Sequence, residues 1–190
     1  MSSTNRGANR VGLDRYYTPD ALADALLART LPLAPTTVLE PHGGGGAFIR
    51  AAKRLGHTVR AFDLDPGADL SAADAAMIGV DYLAVRHTWS HEWVIGNPPY
   101  KGWEQHAERA MQDAPNVAFL LRLAVLESKK RYAFWQAHPL ARLLVLTERP
   151  AFTGPTGAKG GTTTDSCAYG WFIWQRGHTG PFSGEILSWR

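Results

Sequence analysis

Residues 37–48 run Thr37-Val38-Leu39-Glu40-Pro41-His42-Gly43-Gly44-Gly45-Gly46-Ala47-Phe48. The apolar Thr37-Val38-Leu39 reads as a short strand entering four glycines, and Ala47 to Leu55 continues as a helix closed by Gly56. Glycines at a strand-to-helix turn let the backbone bend sharply and let a ligand approach closely. Val59 to Phe62 makes the next strand, closed by Asp63-Leu64-Asp65-Pro66. Asp63 lies 23 residues after Glu40, near the spacing at which a carboxylate meets ribose hydroxyls. The glycines alone would also suit a capped turn, with Asp63 solvated. Glu40 before them and Asp63 after them favour a nucleoside cofactor. No Gly-Lys-Ser/Thr follows, so the cluster is not a nucleotide-phosphate loop.

Outward from this unit, strands alternate with helices. Thr18-Pro19 opens a helix to about Arg29, with Thr18 as N-cap, Pro19 at the first helical position, and an apolar face of Leu22, Ala23, Ala25, Leu26 and Leu27. Pro32 and Pro35 end it. Further strands are read at Trp93-Val94-Ile95, at Val117 to Leu126 (an apolar run broken only by Arg122), at Leu143 to Leu146 and at Tyr169 to Trp174. This alternation predicts a three-layer α/β fold with a mostly parallel sheet. Residues 1–15, carrying Arg6, Arg10 and Arg15, read as a flexible basic arm, and 16–190 as one domain. Residues 153–166, rich in Gly and Thr around Lys159, read as a mobile loop.

Composition narrows the function classes. The 190 residues are 45% hydrophobic and 19% charged, which suits a packed core and excludes a disordered chain. A net charge of +3 permits a polyanionic partner without demanding one. Cys167 is the single cysteine, so neither an internal disulfide nor a cysteine metal cluster can form. No membrane-length apolar run and no signal-peptide pattern is present, and the expected location is the cytoplasm.

The second constellation is Val94-Ile95-Gly96-Asn97-Pro98-Pro99-Tyr100. It sits at the end of a buried strand, where ligands bind in open α/β sheets. Two prolines hold the backbone extended and remove two donors, so the local carbonyls face the cleft. The Asn97 side-chain oxygen and the Pro98 carbonyl can then accept from one amino group. An amino group conjugated with a base ring is a poor nucleophile, because its lone pair is delocalised. Two acceptors on its hydrogens favour the tetrahedral form, which localises the lone pair for attack on a sulfonium methyl. Tyr100 offers a flat face to the base. A proline turn with Tyr100 merely packing is the alternative.

With both motifs in place, the chain resembles the class I, Rossmann-like S-adenosylmethionine methyltransferases that act on amino groups, a group dominated by DNA adenine-N6 and cytosine-N4 enzymes. Tyr16-Tyr17-Thr18-Pro19 resembles their N-terminal cofactor motif, and Glu40-Pro41 through Gly44, Gly46 and Phe48 their principal one. Asp63 falls at the ribose-binding acid, Asp81-Tyr82 at the pair contacting the cofactor's adenine, and Asn97 to Tyr100 at the catalytic motif. The resemblance spans about residues 16–175 and implies a seven-stranded sheet, a γ-like motif order and S-adenosylmethionine as cofactor. It places Tyr17, Thr18 and Glu40 at the methionine end and Gly44 and Gly46 at the close turn. Phe152 resembles the aromatic that stacks on an extruded base, forming a pocket with Tyr100. His42-Gly43 departs from the usual Ala-Cys or Gly-Ala. Relatives of this order usually append a large recognition domain, whereas only about fifteen residues follow the last strand here, as in the compact enzymes of phages and prophages. Target contacts would then come from the arm, the 153–166 loop and the segment after Tyr100, including Lys101, Trp103, His106 and Arg109.

Other features carry less. His87 and His91 are read as a surface pair, Lys129-Lys130-Arg131 as a solvated face able to meet phosphate, and Trp171 and Trp174 as core. Three functions compete. The first is N6-methylation of adenine in DNA. The second is the same chemistry on cytosine N4, on adenine in RNA or on a protein glutamine amide. The third is a non-catalytic nucleic-acid-binding module. No metal is expected, because a sulfonium already activates its methyl group.

Overall fold

The computed structural model describes residues 16–86, 89–153, 163–164 and 166–190. Its main sheet has eight strands: β1 (Thr37–Glu40), β2 (Thr58–Asp63), β3 (Ala75–Ile78), β4 (Trp93–Gly96), β5 (Asn116–Arg122), β6 (Arg142–Leu146), β9 (Tyr169–Gln175) and β10 (Ser183–Leu187). The spatial order is β10-β6-β9-β5-β4-β1-β2-β3, and β9 alone runs antiparallel to its neighbours. A separate two-stranded ribbon joins β7 (Ala151–Phe152) to β8 (Thr163–Thr164). Four α-helices, α1 (Asp20–Ala28), α2 (Ala47–Arg54), α3 (Trp103–Asp113) and α4 (Tyr132–Ala137), and two short 3-10 helices complete the described structure.

The strand pleat sends alternate residues of the central strands to opposite sides. In β5, Ala118 and Leu120 join one core with Leu22, Leu26 and Leu27 of α1 and Phe48 and Ile49 of α2. Val117, Phe119 and Leu121 join the other with Trp103, Ala107 and Ala110 of α3. β9 repeats the pattern, with Trp171 and Ile173 on the first side and Phe172 and Trp174 on the second. The three-layer arrangement follows from this split. Both tryptophans are core residues, as their strand position predicts.

Several details differ from the sequence reading. The sheet has eight strands, not seven, because β10 pairs in parallel with β6 at the edge. β5 stops at Arg122, and Leu123 to Leu126 turn as a 3-10 helix. α1 begins at Asp20 with Pro19 as its N-cap residue and no side-chain cap, so Thr18 is not the cap. His91 is buried and so is not a surface residue; His87, the 1–15 arm and most of the 153–166 loop lie outside the described residues. Among the described residues, no cluster of His, Cys, Asp or Glu could hold a metal, and no helix is long and apolar enough to cross a membrane.

Trp171 ties the first core together. It is fully buried, stacks on Phe48 with ring centres 5.2 Å apart, and donates its indole N–H to Thr30 Oγ1 at 2.9 Å. Trp171→Ala should lower the unfolding free energy by about 3–5 kcal/mol, the usual cost of truncating a large aromatic in a packed core. Urea denaturation followed by circular dichroism measures it, and Trp171→Phe should lose distinctly less.

Candidate active site

β1 pairs in parallel with both β2 and β4, so the loops leaving these strands diverge and open a crevice at their carboxyl ends. A cavity of about 350 Å³ fills that crevice, lined by Tyr16, Tyr17, His42, Gly44, Asp63, Asp81, Tyr82, Asn97, Pro99 and His106 among others. Three carboxylates face it (Asp63, Asp65 and Asp81), and no lysine or arginine is among its lining residues.

The glycine turn is positioned by its own acid. Asp63 Oδ2 accepts from the Gly44 N–H at 2.7 Å and Oδ1 from the Asp65 N–H at 2.7 Å, joining the end of β2 to the turn after β1. Gly46 caps α2 at φ 76°, where a side chain would be strained, and an added Cβ would lie 2.5 Å from the Asp69 carbonyl. Glu40 is buried beneath the turn. One of its oxygens accepts from the His42 N–H at 2.9 Å, and Oε2 is buried without a partner. Burial pushes the Glu40 carboxyl well above the usual range, with Asp63 adding to the effect and the His42 N–H opposing it. At Gly96 an added Cβ would meet Glu40 Oε1 at 2.5 Å, so a side chain before Asn97 would force the buried Glu40 carboxyl to shift.

At one end of the cavity, Tyr82 donates its hydroxyl to Asp113 at 2.7 Å, and Asp81 accepts from the Leu83 N–H at 2.9 Å. His42 and His106 share a bond of 2.9 Å between Nε2 and Nδ1, with the Tyr82 ring edge-on to His42. At the other end, Asn97 donates Nδ2 to the Tyr16 carbonyl at 3.2 Å and to Thr18 Oγ1 at 3.4 Å. A carbonyl can only accept, so this contact fixes the amide with Oδ1 as its remaining group. Oδ1 is buried and has no partner. Tyr100 is half-buried beside it, and burial raises its phenol pKa, with the neighbouring Tyr169 adding to the shift.

Asn97, Pro99, Tyr17, Gly44, Asp63, Asp81 and Tyr82 thus converge on one cavity. Thr18 meets Asn97 and Glu40 lies below, while Gly46 shapes the turn. Four expected contacts fall elsewhere, the first being Trp103, which is buried in the core under α3. Phe48 packs into the core against Trp171 instead of facing the main cavity. Arg109, expected at the acceptor, is tied inward by Asp113 at 3.0 Å and the Val85 carbonyl at 3.0 Å. Phe152 is buried, and the ring of Tyr16 lies against both it and Tyr100, filling the pocket expected between them. Pro98 is buried and Lys101 is exposed at the turn before α3. One residue and one pairing were missed. Arg122 lies over the Tyr100 ring at 4.6 Å and donates Nε–H to the Tyr169 hydroxyl at 3.3 Å; its one charge in an apolar run was the available signal. The His42–His106 pair had none, because the two lie 64 residues apart.

No family model matches the chain. It is 22% identical over 102 residues to the type II methyltransferases M.HincII and M.HindII of Haemophilus influenzae, a stretch covering 53% of this chain. The chain spans about a fifth of the length of these relatives. Among solved structures, the Pyrococcus horikoshii protein PH1948, to which an RNA methyltransferase activity is ascribed, superposes with a TM-score of 0.65 over 90% of each chain at 15% identity. The 23S rRNA methyltransferase ErmE gives 0.59 over 87% of this chain and 71% of its own at 15% identity. The fold is that of the class I methyltransferases. S-adenosylmethionine is the cofactor that goes with this fold, and the crevice suits it: the carboxylates attract a sulfonium and an ammonium and repel a phosphate.

Burial holds both cavity histidines below the usual imidazole range, with each other's proximity adding to it at His42 and Asp81 opposing it at His106. Both are therefore harder to protonate when folded than an unfolded histidine, which protonates near pH 6.5. Their contribution is complete above that pH and lost as pH falls below it. Unfolding free energy should fall from pH 6.5 to 5.5, and less steeply in His106→Asn; calorimetry across that range measures the slope.

Proposed function

We propose that the chain transfers the methyl group of S-adenosylmethionine to the exocyclic amino nitrogen of a nucleic-acid base, with adenine N6 in DNA as the acceptor. The observation that carries this reading is the oriented Asn97 amide. Its Nδ2 is engaged by Tyr16 and Thr18, and its buried Oδ1 is left to accept an N–H at the cavity wall.

When bound, the cofactor supplies an electrophilic methyl group on a positively charged sulfur. The chain's own groups do the rest. Asp63 and Asp81 would offer acceptors to the ribose and adenine parts, and Glu40, buried beneath the glycine turn, would serve the amino-acid end. Asn97 Oδ1 draws the acceptor amine toward a tetrahedral form, making its lone pair available. Proline at 98 and 99 removes the two backbone donors that would otherwise compete for that oxygen. These interactions strengthen as the nitrogen pyramidalises, so they act on turnover more than on binding. The partial match to type II methyltransferases favours DNA over a glutamine amide, and asparagine at 97 favours adenine over cytosine, whose enzymes more often carry serine there.

Asn97→Ala should lower the rate of transfer by about two to three orders of magnitude, as the loss of one preorganised polar group does elsewhere, with cofactor affinity retained. Asn97→Asp should keep part of the activity, since one carboxylate oxygen accepts the same bond while the other loses the Tyr16 carbonyl as its partner. Transfer of labelled methyl to duplex DNA, followed by mass analysis of the nucleosides, is expected to yield N6-methyladenine. Full activity in Asn97→Ala, or no transfer to nucleic acid by the wild type, would overturn the reading. Asp63→Ala should weaken cofactor binding by about 1–3 kcal/mol in titration calorimetry, since it removes both a ligand contact and the anchor of Gly44.

A further inference from the structure

Tyr100 is enclosed by three groups. Tyr16 stacks on it with ring centres 5.8 Å apart and planes 27° from parallel, Tyr169 lies tilted at 5.9 Å, and the Arg122 guanidinium stands over it at 4.6 Å. Tyr16 also sets its ring edge-on to Phe152 at 5.7 Å. A planar acceptor presenting its amine to Asn97 Oδ1 needs a face of Tyr100, and Tyr16 takes up that space. The other groups are held. Tyr169 is buried in β9 opposite Arg122, Phe152 is buried at the ribbon, and Arg122 is bonded to the Tyr169 hydroxyl. Tyr16 is only half-buried and precedes the paired segment, for the next residue exchanges two backbone bonds with Thr153, at 2.6 and 3.1 Å. Its ring can therefore rotate away without breaking that bridge. Its carbonyl, bonded to Asn97, belongs to the backbone and stays when the ring leaves.

We infer that the ring of Tyr16 occupies the acceptor position itself and is an internal stand-in for a flat heteroaromatic amine, displaced when such an amine stacks on Tyr100. The inference rests on the methyl-transfer reading and specifies how its acceptor is held: as a flat ring stacked on Tyr100 in place of Tyr16, which an aliphatic amide does not reproduce. Each acceptor that binds must first separate Tyr16 from Tyr100 and Phe152, so removing the ring strengthens acceptor binding.

The test compares wild type with Tyr16→Ala, Tyr16→Leu and Tyr16→Phe. Adenosine and a glutaminyl peptide are the acceptor probes, titrated in the presence of the demethylated cofactor. Tyr16→Ala should bind adenosine about tenfold more tightly, Tyr16→Leu should gain less, and Tyr16→Phe should match wild type. The peptide should gain nothing. Weaker or unchanged adenosine binding in both Ala and Leu variants would make Tyr16 a fixed wall and overturn the inference, as would an equal gain for the peptide. Methyl counts on nucleic acid from the wild type report on the underlying reading separately from these affinities.

Discussion

The parallel pairing of β1 with β2 on one side and β4 on the other is the constraint from which the site descends. Neighbouring loops must part at that point, and what leaves β1 and β4 has to face the gap. The first loop is the glycine turn held by Asp63; the second is Asn97 to Tyr100. Glu40 and Gly96 pack the two strand ends so closely that a side chain at 96 would displace the Glu40 carboxyl. The segment after β4 and the glycine turn are therefore one packed unit, and a change in either disturbs the other.

The central strands and the two motifs were readable because each depends on local signals: apolar runs bounded by glycine and proline, and acids at fixed spacing. The edges were not. β3 is Ala75-Ala76-Met77-Ile78, exposed along its length and held by pairing to β2, with the preceding Asp74 bonded to the Val59 N–H and to Lys53. β10 carries a single buried residue, Leu187, so its pattern had no apolar face to reveal it. α3 was hidden by a polar composition whose buried face is only Trp103, Ala107 and Ala110.

The same division holds in the site. Most residues contributed by a motif fell at or near the cavity, Phe48 excepted, whereas of those assigned by neighbourhood in sequence His106 alone lines it. Arg109 stands six residues beyond the start of α3, on a turn that directs it to Asp113 and Tyr82. Phe152 was placed by analogy, and its surroundings were set by Tyr16, which arrives from the far end of the chain through the Tyr17–Thr153 bridge. Long-range contacts of this kind leave no trace in local pattern. Thr18 shows the converse: its residue type suited a helix cap, and the hydroxyl turned to Asn97 instead.

The acidity of the crevice bears on the reaction cycle. With a sulfonium as occupant, the carboxylates of Asp63, Asp65 and Asp81 hold a cation. Once its methyl has gone, the same sulfur is a neutral thioether and that part of the attraction vanishes. On the proposed reading, this lining would distinguish spent from charged donor by electrostatics and tilt exchange toward reloading, with no moving part assigned to the task.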